Sequence, residues 1–484
     1  MAIDPGLRRL VLRTLLAAFP GTAPPRWAVD LVADGLAGHT LFGRNVVDPA
    51  QVAATTAALR QARPDVVVAI DEEGGDVTRL AHATGSPYPG NAALGAVGDV
   101  GLTRRVYQAI GTELAAAGVT VNLAPTVDVN SHDDNPIIGT RSFGADPVRV
   151  AAHAAAAVTG LQAAGVAACA KHFPGHGATV ADSHYELPTV DVPLSVLRAR
   201  DLPPFAAVIA ADAKAVMTAH IRVPALTGAA PATFTSAVLV DLLRHEYGFT
   251  GAVVTDALEM KGAALAAGGV APAAVRALAA GADLLCIGAD VDEPALVEEV
   301  VAHVVAALDD GRLDRTRIEQ AAGRAADLAA WTRAAAPDAA VATDLGYAAA
   351  RRAVRVEGSL TDLGTPLVVQ LVSSSTIAEG RVPWGLGPHV GGAEQLRVVA
   401  TETDVPTLVE RAAGRPIVLV GRHVHRLAEA PALIEALAAA HPVVLVEMGW
   451  PSPWRPAGVR AFVTTYGASH ANGRAAAETL GLAG

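Results

Sequence analysis

The apolar positions of this chain fall in short unbroken runs separated by longer amphipathic stretches. Residues 38–47, 65–70, 119–123, 165–170, 215–218, 251–255 and 283–287 are such runs, without clear two-residue alternation. Strands have this pattern when both faces are covered, as in a parallel sheet flanked by helices. Helical spacing predicts helices over 49–60, 102–117, 147–164, 194–211, 236–247 and 271–280, then two long ones over 293–308 and 314–335. Residues 10–19, interrupted by Arg13, read as one more amphipathic helix. Strand, loop and helix repeated this often predict a (β/α)8 barrel, TIM-like, with seven strands placed and the eighth unassigned. The competing open doubly wound sheet lacks a GxGxxG loop after its first strand.

The helical pattern stops around 334–338, and a second polar, glycine-containing stretch covers 358–365. The rhythm then restarts, with strands expected at 366–372, 396–401, 416–420, 442–447 and 461–465 and helices at 406–412, 431–440 and 471–480. The expected organisation is a barrel over 1–335, a connecting segment over 336–365 and a small open α/β sandwich over 366–484. Two domains suit a chain of 484 residues, which is long for a single core.

Composition narrows the function. Apolar residues make up 51%, which excludes a mainly disordered chain. The net charge of −11, with no cluster of Lys and Arg, argues against nucleic acid as a partner. Neither a long uncharged apolar run nor a leader-like N-terminus is evident, so no membrane span and no secretory leader are expected. Cys169 and Cys286 fall inside predicted strands and read as buried thiols, which suits a cytoplasmic protein without disulfides.

Polar residues gather where the barrel strands end. Asp71, Asp128, Lys171, His172, His220 and Asp256 all follow an apolar run, the position from which barrel enzymes act. The densest group is Lys171-His172-Phe173-Pro174-Gly175-His176-Gly177, with Asp182-Ser183-His184 close behind. Pro174 rules out a continuing helix, and the glycines let backbone approach a ligand. A carboxylate such as Asp256, leaving an apolar strand, is unfavourable unless paired or functional. Its competing reading is a helix cap. His423, His425, Trp450 and Trp454, in the smaller domain, read as packing residues.

Five motifs, in order across roughly residues 35 to 290, resemble glycoside hydrolase family 3 and its β-N-acetylglucosaminidase branch. They are Asp71-Glu72-Glu73-Gly74-Gly75 with Arg79, Asn122 to Val129, Arg141-Ser142-Phe143-Gly144, the Lys171 to His184 loop, and Val254 to Met260. The resemblance implies a retaining exo-acting enzyme without metal or cofactor. Asp256 would be the nucleophile, His184 the acid/base and Asp182 its orienting partner, with Asp71, Arg79, Arg141, Lys171, His172 and His220 on the sugar. The implied substrates are small β-linked GlcNAc glycosides, such as muropeptide fragments or chitooligosaccharides. A neutral base does not repel anions, so a phosphorylase with phosphate as acceptor is the alternative.

The chain departs from the pattern at Glu72, where Gln is expected, and at Asp76, where Arg is expected. Two readings of other classes compete. A metal-dependent barrel hydrolase would use His172, His176, Asp182, His184, His220 and Asp256 as ligands. A non-catalytic sugar-binding protein would not need Asp182, His184 and Asp256.

Overall fold

The computed structural model describes residues 3–289, 293–334 and 344–483. Two compact units are present. The first comprises Met1–Glu73, Thr103–Ile138 and Ala145–Val341, the second Gly74–Leu102, Gly139–Gly144 and Ala342–Gly484. Two stretches inside the expected barrel span, 74–102 and 139–144, therefore count with the second unit.

Eight strands build the first unit: β1 (Leu15–Ala17), β2 (Gly38–Leu41), β3 (Val67–Ile70), β4 (Val121–Asn122), β5 (Ala167–Phe173), β6 (Ala215–Thr218), β7 (Ala252–Thr255) and β8 (Leu285–Cys286). They pair in the order β7-β6-β5-β4-β3-β2-β1-β8, all parallel. A parallel bridge from Val254 to Leu284 joins β7 to β8 and closes the (β/α)8 barrel. Its interior mixes larger residues such as Leu123 and Met217 with small ones, among them Ala69, Ala167, Cys169, Ala215, Ala252 and Cys286, which suit the narrow bore of eight strands. Both cysteines are buried free thiols, and burial pushes each thiol pKa up. The helix Arg315–Ala334 adds Ala325, Leu328 and Ala329 to the same cluster. Helix starts follow local rules. Asp48 and Asp146 each precede a proline and accept the N–H of Gln51 (2.7 Å) and Val148 (3.0 Å).

The strand left unassigned is β1, inside the stretch expected as a helix over 10–19. The helix there is Pro5–Leu12, started by Asp4, and the chain extends from Leu15. Three residues are too few to show a period. Pairing with β2 on one side and β8 on the other overrides local preference.

In the second unit six strands pair in the order β11-β10-β12-β13-β14-β9. They are β9 (Arg355–Gly358), β10 (Leu367–Leu371), β11 (Gln395–Val398), β12 (Ile417–Gly421), β13 (Val443–Glu447) and β14 (Ala461–Thr464). The five predicted strands are present and parallel, with helices Val405–Ala412, Ala430–Ala440 and His470–Thr479 where expected. The segment 336–365, expected as a plain connection, has more structure than that. Its first residues, 336–343, lie outside those described, but the remainder holds a helix, Leu345–Ala353, and the antiparallel edge strand β9. All four β9 residues are exposed, so no hydrophobic signal marks it. No single described helix is long and apolar enough to cross a membrane.

Candidate active site

The candidate site in the first unit is assembled at the C-terminal ends of β3, β5, β6 and β7, where side chains leave the barrel wall. Asp71 follows β3 directly. Asn122, at the end of β4, clamps the chain beside it by accepting the Glu72 N–H (3.0 Å) and donating to the Glu72 carbonyl (2.8 Å). The Lys171 ammonium lies 2.7 Å from Asp71 Oδ1 and 2.8 Å from Glu73 Oε1. Lys171 and Glu73 are buried, so the ammonium and two carboxylates fix one another.

β5 carries Lys171 and His172, and its register against β6 shifts between Ala170 and Phe173. Such a bulge redirects side chains at a strand end. Asp128 is fully buried and organises the loop that leaves β5. Its Oδ2 lies 2.7 Å from His172 Nδ1, and its Oδ1 accepts the His176 backbone N–H at 2.7 Å. Burial alone would raise the Asp128 pKa, but these imidazoles and N–H groups hold the carboxyl below its usual range.

The glycines of this loop are required by close approach. A Cβ on Gly177 would sit 1.9 Å from the Val129 carbonyl oxygen, and one on Gly175, at φ +126°, 2.7 Å from Asp201 Cβ. Asp201 is buried beneath the loop, and desolvation lifts its pKa to about 6 against the pull of Arg200.

From there the chain reaches Asp182-Ser183-His184. His184 Nδ1 lies 2.6 Å from Asp182 Oδ1, and Nε2 has no hydrogen-bond partner among the described residues. The loop is tied down on two sides. His176 Nε2 lies 3.2 Å from Ser183 Oγ, and the Gly262 N–H donates to the Ser183 carbonyl at 3.1 Å. Gly262 stands six residues beyond Asp256, so the His184 loop and the loop after β7 are joined.

Asp256 is half-buried and accepts the Ala257 N–H at 2.8 Å. Burial pushes its pKa up. The facing imidazoles of His220, His172 and His184, with the Ala257 N–H, outweigh burial and hold the carboxyl below its usual value. His220 itself is fully buried, and burial lowers its pKa. Its Nε2–H donates to the Ala257 carbonyl (3.0 Å), which leaves Nδ1 to accept from the Thr233 hydroxyl (2.8 Å). With both nitrogens used, His220 shapes the turn behind Asp256.

The barrel thus gathers Asp71, Lys171, His172, Asp182, His184, His220 and Asp256. Arg79 and Arg141 fall in the second unit, both buried. The Arg79 guanidinium donates to the Ala378 carbonyl at 2.8 Å, and the Arg141 carbonyl accepts from Asn91 at 2.6 Å. Asp76, in the same unit, accepts from the Thr140 hydroxyl and the Ala468 N–H, each at 2.7 Å. Its carboxylate is a buried structural link. Sequence spacing places Asp128 at a strand end and Glu73 beside Asp71, but their bonds to His172 and Lys171 are recognisable only through partners from another strand. Among the described residues no group of three or more His, Cys, Asp or Glu is placed to hold a metal ion.

The chain has relatives among known proteins. Residues 20–328 match the glycosyl hydrolase family 3 N-terminal domain. A beta-hexosaminidase A of Pseudoalteromonas piscicida is 36% identical over 332 residues, which are 63% of this chain and 55% of that protein. The chain therefore spans about half the length of that relative. A beta-hexosaminidase of Methylococcus capsulatus is 39% identical over 269 residues, 54% of this chain and 80% of the relative. Among solved structures, a glycoside hydrolase family 3 beta-N-acetylglucosaminidase from Paenibacillus is 32% identical with a TM-score of 0.88, covering 100% of this chain and 98% of that one. The chain belongs to glycosyl hydrolase family 3.

Proposed function

We propose that the protein is a retaining, exo-acting β-N-acetylglucosaminidase that removes terminal β-linked GlcNAc from small glycosides. The observation that carries this reading is the placement of Asp256 within electrostatic reach of His184, whose ring is held by Asp182. The names of the relatives add the substrate class.

In this mechanism the Asp256 carboxylate attacks the anomeric carbon as the glycosidic C–O bond breaks. His184 Nε2–H protonates the departing oxygen, and Asp182 stabilises the imidazolium that precedes this step. Neutral His184 then takes a proton from water as the water oxygen attacks the anomeric carbon, and the bond to Asp256 breaks. Each displacement inverts the carbon, and two inversions give net retention. Lys171 and Asp71 offer a donor and an acceptor to sugar hydroxyls, and His172 a ring nitrogen set by Asp128.

A second reading, transfer of the glycosyl group to phosphate, is favoured by one feature: the acid/base is an imidazole, which is neutral when the acceptor arrives and does not repel an anion. Turnover of an aryl β-GlcNAc glycoside with and without phosphate, and identification of the sugar released, tests both. Free GlcNAc in β form supports hydrolysis, and GlcNAc 1-phosphate supports transfer. No turnover of β-GlcNAc glycosides sinks the proposal. A role on muropeptide fragments or chitin disaccharides in the cytoplasm is part of this reading, supported for location by the two buried thiols.

A further inference from the structure

The second unit contains a cavity of about 930 Å³ that the barrel chemistry does not use. It lies beside β10 and β11, lined by Gln370 and Gln395 from those strands and by the connection between them. A connection between neighbouring parallel strands usually carries a helix that covers the sheet. Here residues 372–394 hold only two short turns, one at 377–379 and one at Gly387–His389, and space is left in place of a helix.

The lining has a definite character. Arg381 and Arg397 are exposed and form no ion pair among the described residues. Among the described residues no Asp or Glu lines the cavity, so the lining carries positive charge in a chain of net charge −11. The Gln370 amide donates to the Trp384 carbonyl (3.4 Å) and the Gln395 amide to the Gly387 carbonyl (3.3 Å), which orients both. Trp384 also lines the space, its ring held 4.6 Å from the Arg422 guanidinium. Ser373 Oγ is shielded from solvent and has no hydrogen-bond partner among the described residues.

We propose that this cavity is a second saccharide-binding site, for a sugar that bears a carboxylate. Planar amides and guanidinium groups match the spacing of neighbouring sugar hydroxyls, and the tryptophan offers an apolar wall. Two unpaired arginines add bidentate recognition of a carboxylate, which a neutral sugar does not exploit.

The test is equilibrium binding to the full chain by titration calorimetry. The probes are N-acetylmuramic acid, which is a GlcNAc carrying a carboxylate, and N-acetylglucosamine. The acidic sugar binds the wild type, and the Arg381→Gln/Arg397→Gln variant binds it at least ~10-fold more weakly, as loss of a charged hydrogen-bonded contact predicts. N-acetylglucosamine binding is the same in both proteins. Asp256→Asn binds the acidic sugar as the wild type does. Both arginines are exposed, and circular dichroism checks the fold; Gln395→Ala, expected to weaken the acidic sugar as well, is read the same way. Absence of saturable binding, equal binding by the arginine variant, or loss of binding in Asp256→Asn overturns the proposal. Because binding is measured, failure of the glycosidase reading leaves this result interpretable.

Discussion

A single oxygen, Asp182 Oδ1, accepts both the ring Nδ1–H and the backbone N–H of His184, at 2.6 and 2.9 Å. Two bonds from one residue to one atom fix the side chain against the main chain, so the ring cannot turn without losing its bond to Oδ1. Burial would raise the Asp182 pKa, but these bonds and the His184 and His176 imidazoles hold the carboxyl low, and it remains an acceptor at neutral pH.

His184→Ala is therefore expected to lower kcat/KM by roughly 10²- to 10⁴-fold, the usual contribution of general acid–base catalysis. The loss shrinks for activated aryl leaving groups, which need no proton. Asp182→Asn is expected to follow the same leaving-group trend with a smaller loss and an altered pH profile. Equal losses across leaving groups would remove proton donation from His184.

Asp256→Asn is expected to abolish turnover of every leaving group, because no aryl activation replaces a nucleophile. In the wild type the depressed Asp256 pKa keeps the carboxylate ionised well into acid. The acidic fall of kcat/KM, which follows protonation of the nucleophile, is therefore expected below the ordinary carboxylate range. A pH–rate profile with its acidic limb below that range, and an alkaline limb that moves when His184 is replaced, supports this; retention of more than trace turnover by Asp256→Asn contradicts it.

Much of this arrangement was legible because acids and histidines ended apolar runs, as at Ile70-Asp71, Ala170-Lys171-His172 and Thr255-Asp256. What stayed hidden depends on distant partners. Asp128 serves His172 and His176 from 44 and 48 residues away, and no local pattern records that. Glu73 gains its role only when Lys171 arrives from β5. β1 is three residues long and β9 is wholly exposed, so neither carries a period. His220 follows its strand as His172 does, and its bonds to Thr233 and Ala257 are likewise visible only in the structure.

The Lys171 cluster gives a stability test. Lys171→Met leaves Asp71 and Glu73 facing each other without a cation, and breaking a buried pair in this way costs about 3–5 kcal/mol. Adding Glu73→Gln removes one of the stranded charges and is expected to restore part of the loss. Denaturant unfolding of the two single variants and the double variant measures the coupling. Strict additivity would mean that the two side chains do not support each other.

His39 supplies a pH dependence away from the site. It is fully buried in β2, with Nδ1 3.1 Å from the Ala17 carbonyl and Nε2 3.2 Å from the Ala28 carbonyl. Burial lowers its pKa from 6.5 to about 4, against the two carbonyls. The folded protein therefore holds His39 neutral while the unfolded chain protonates it. Its contribution is fully present above the unfolded value and is lost as pH falls from 6.5 toward 4, by about 3 kcal/mol in total. His39→Gln cannot titrate, so its unfolding free energy is expected to fall less steeply than that of the wild type across this window. Denaturant melts of both proteins at several pH values measure the difference, and parallel curves would show that His39 is protonated equally in both states.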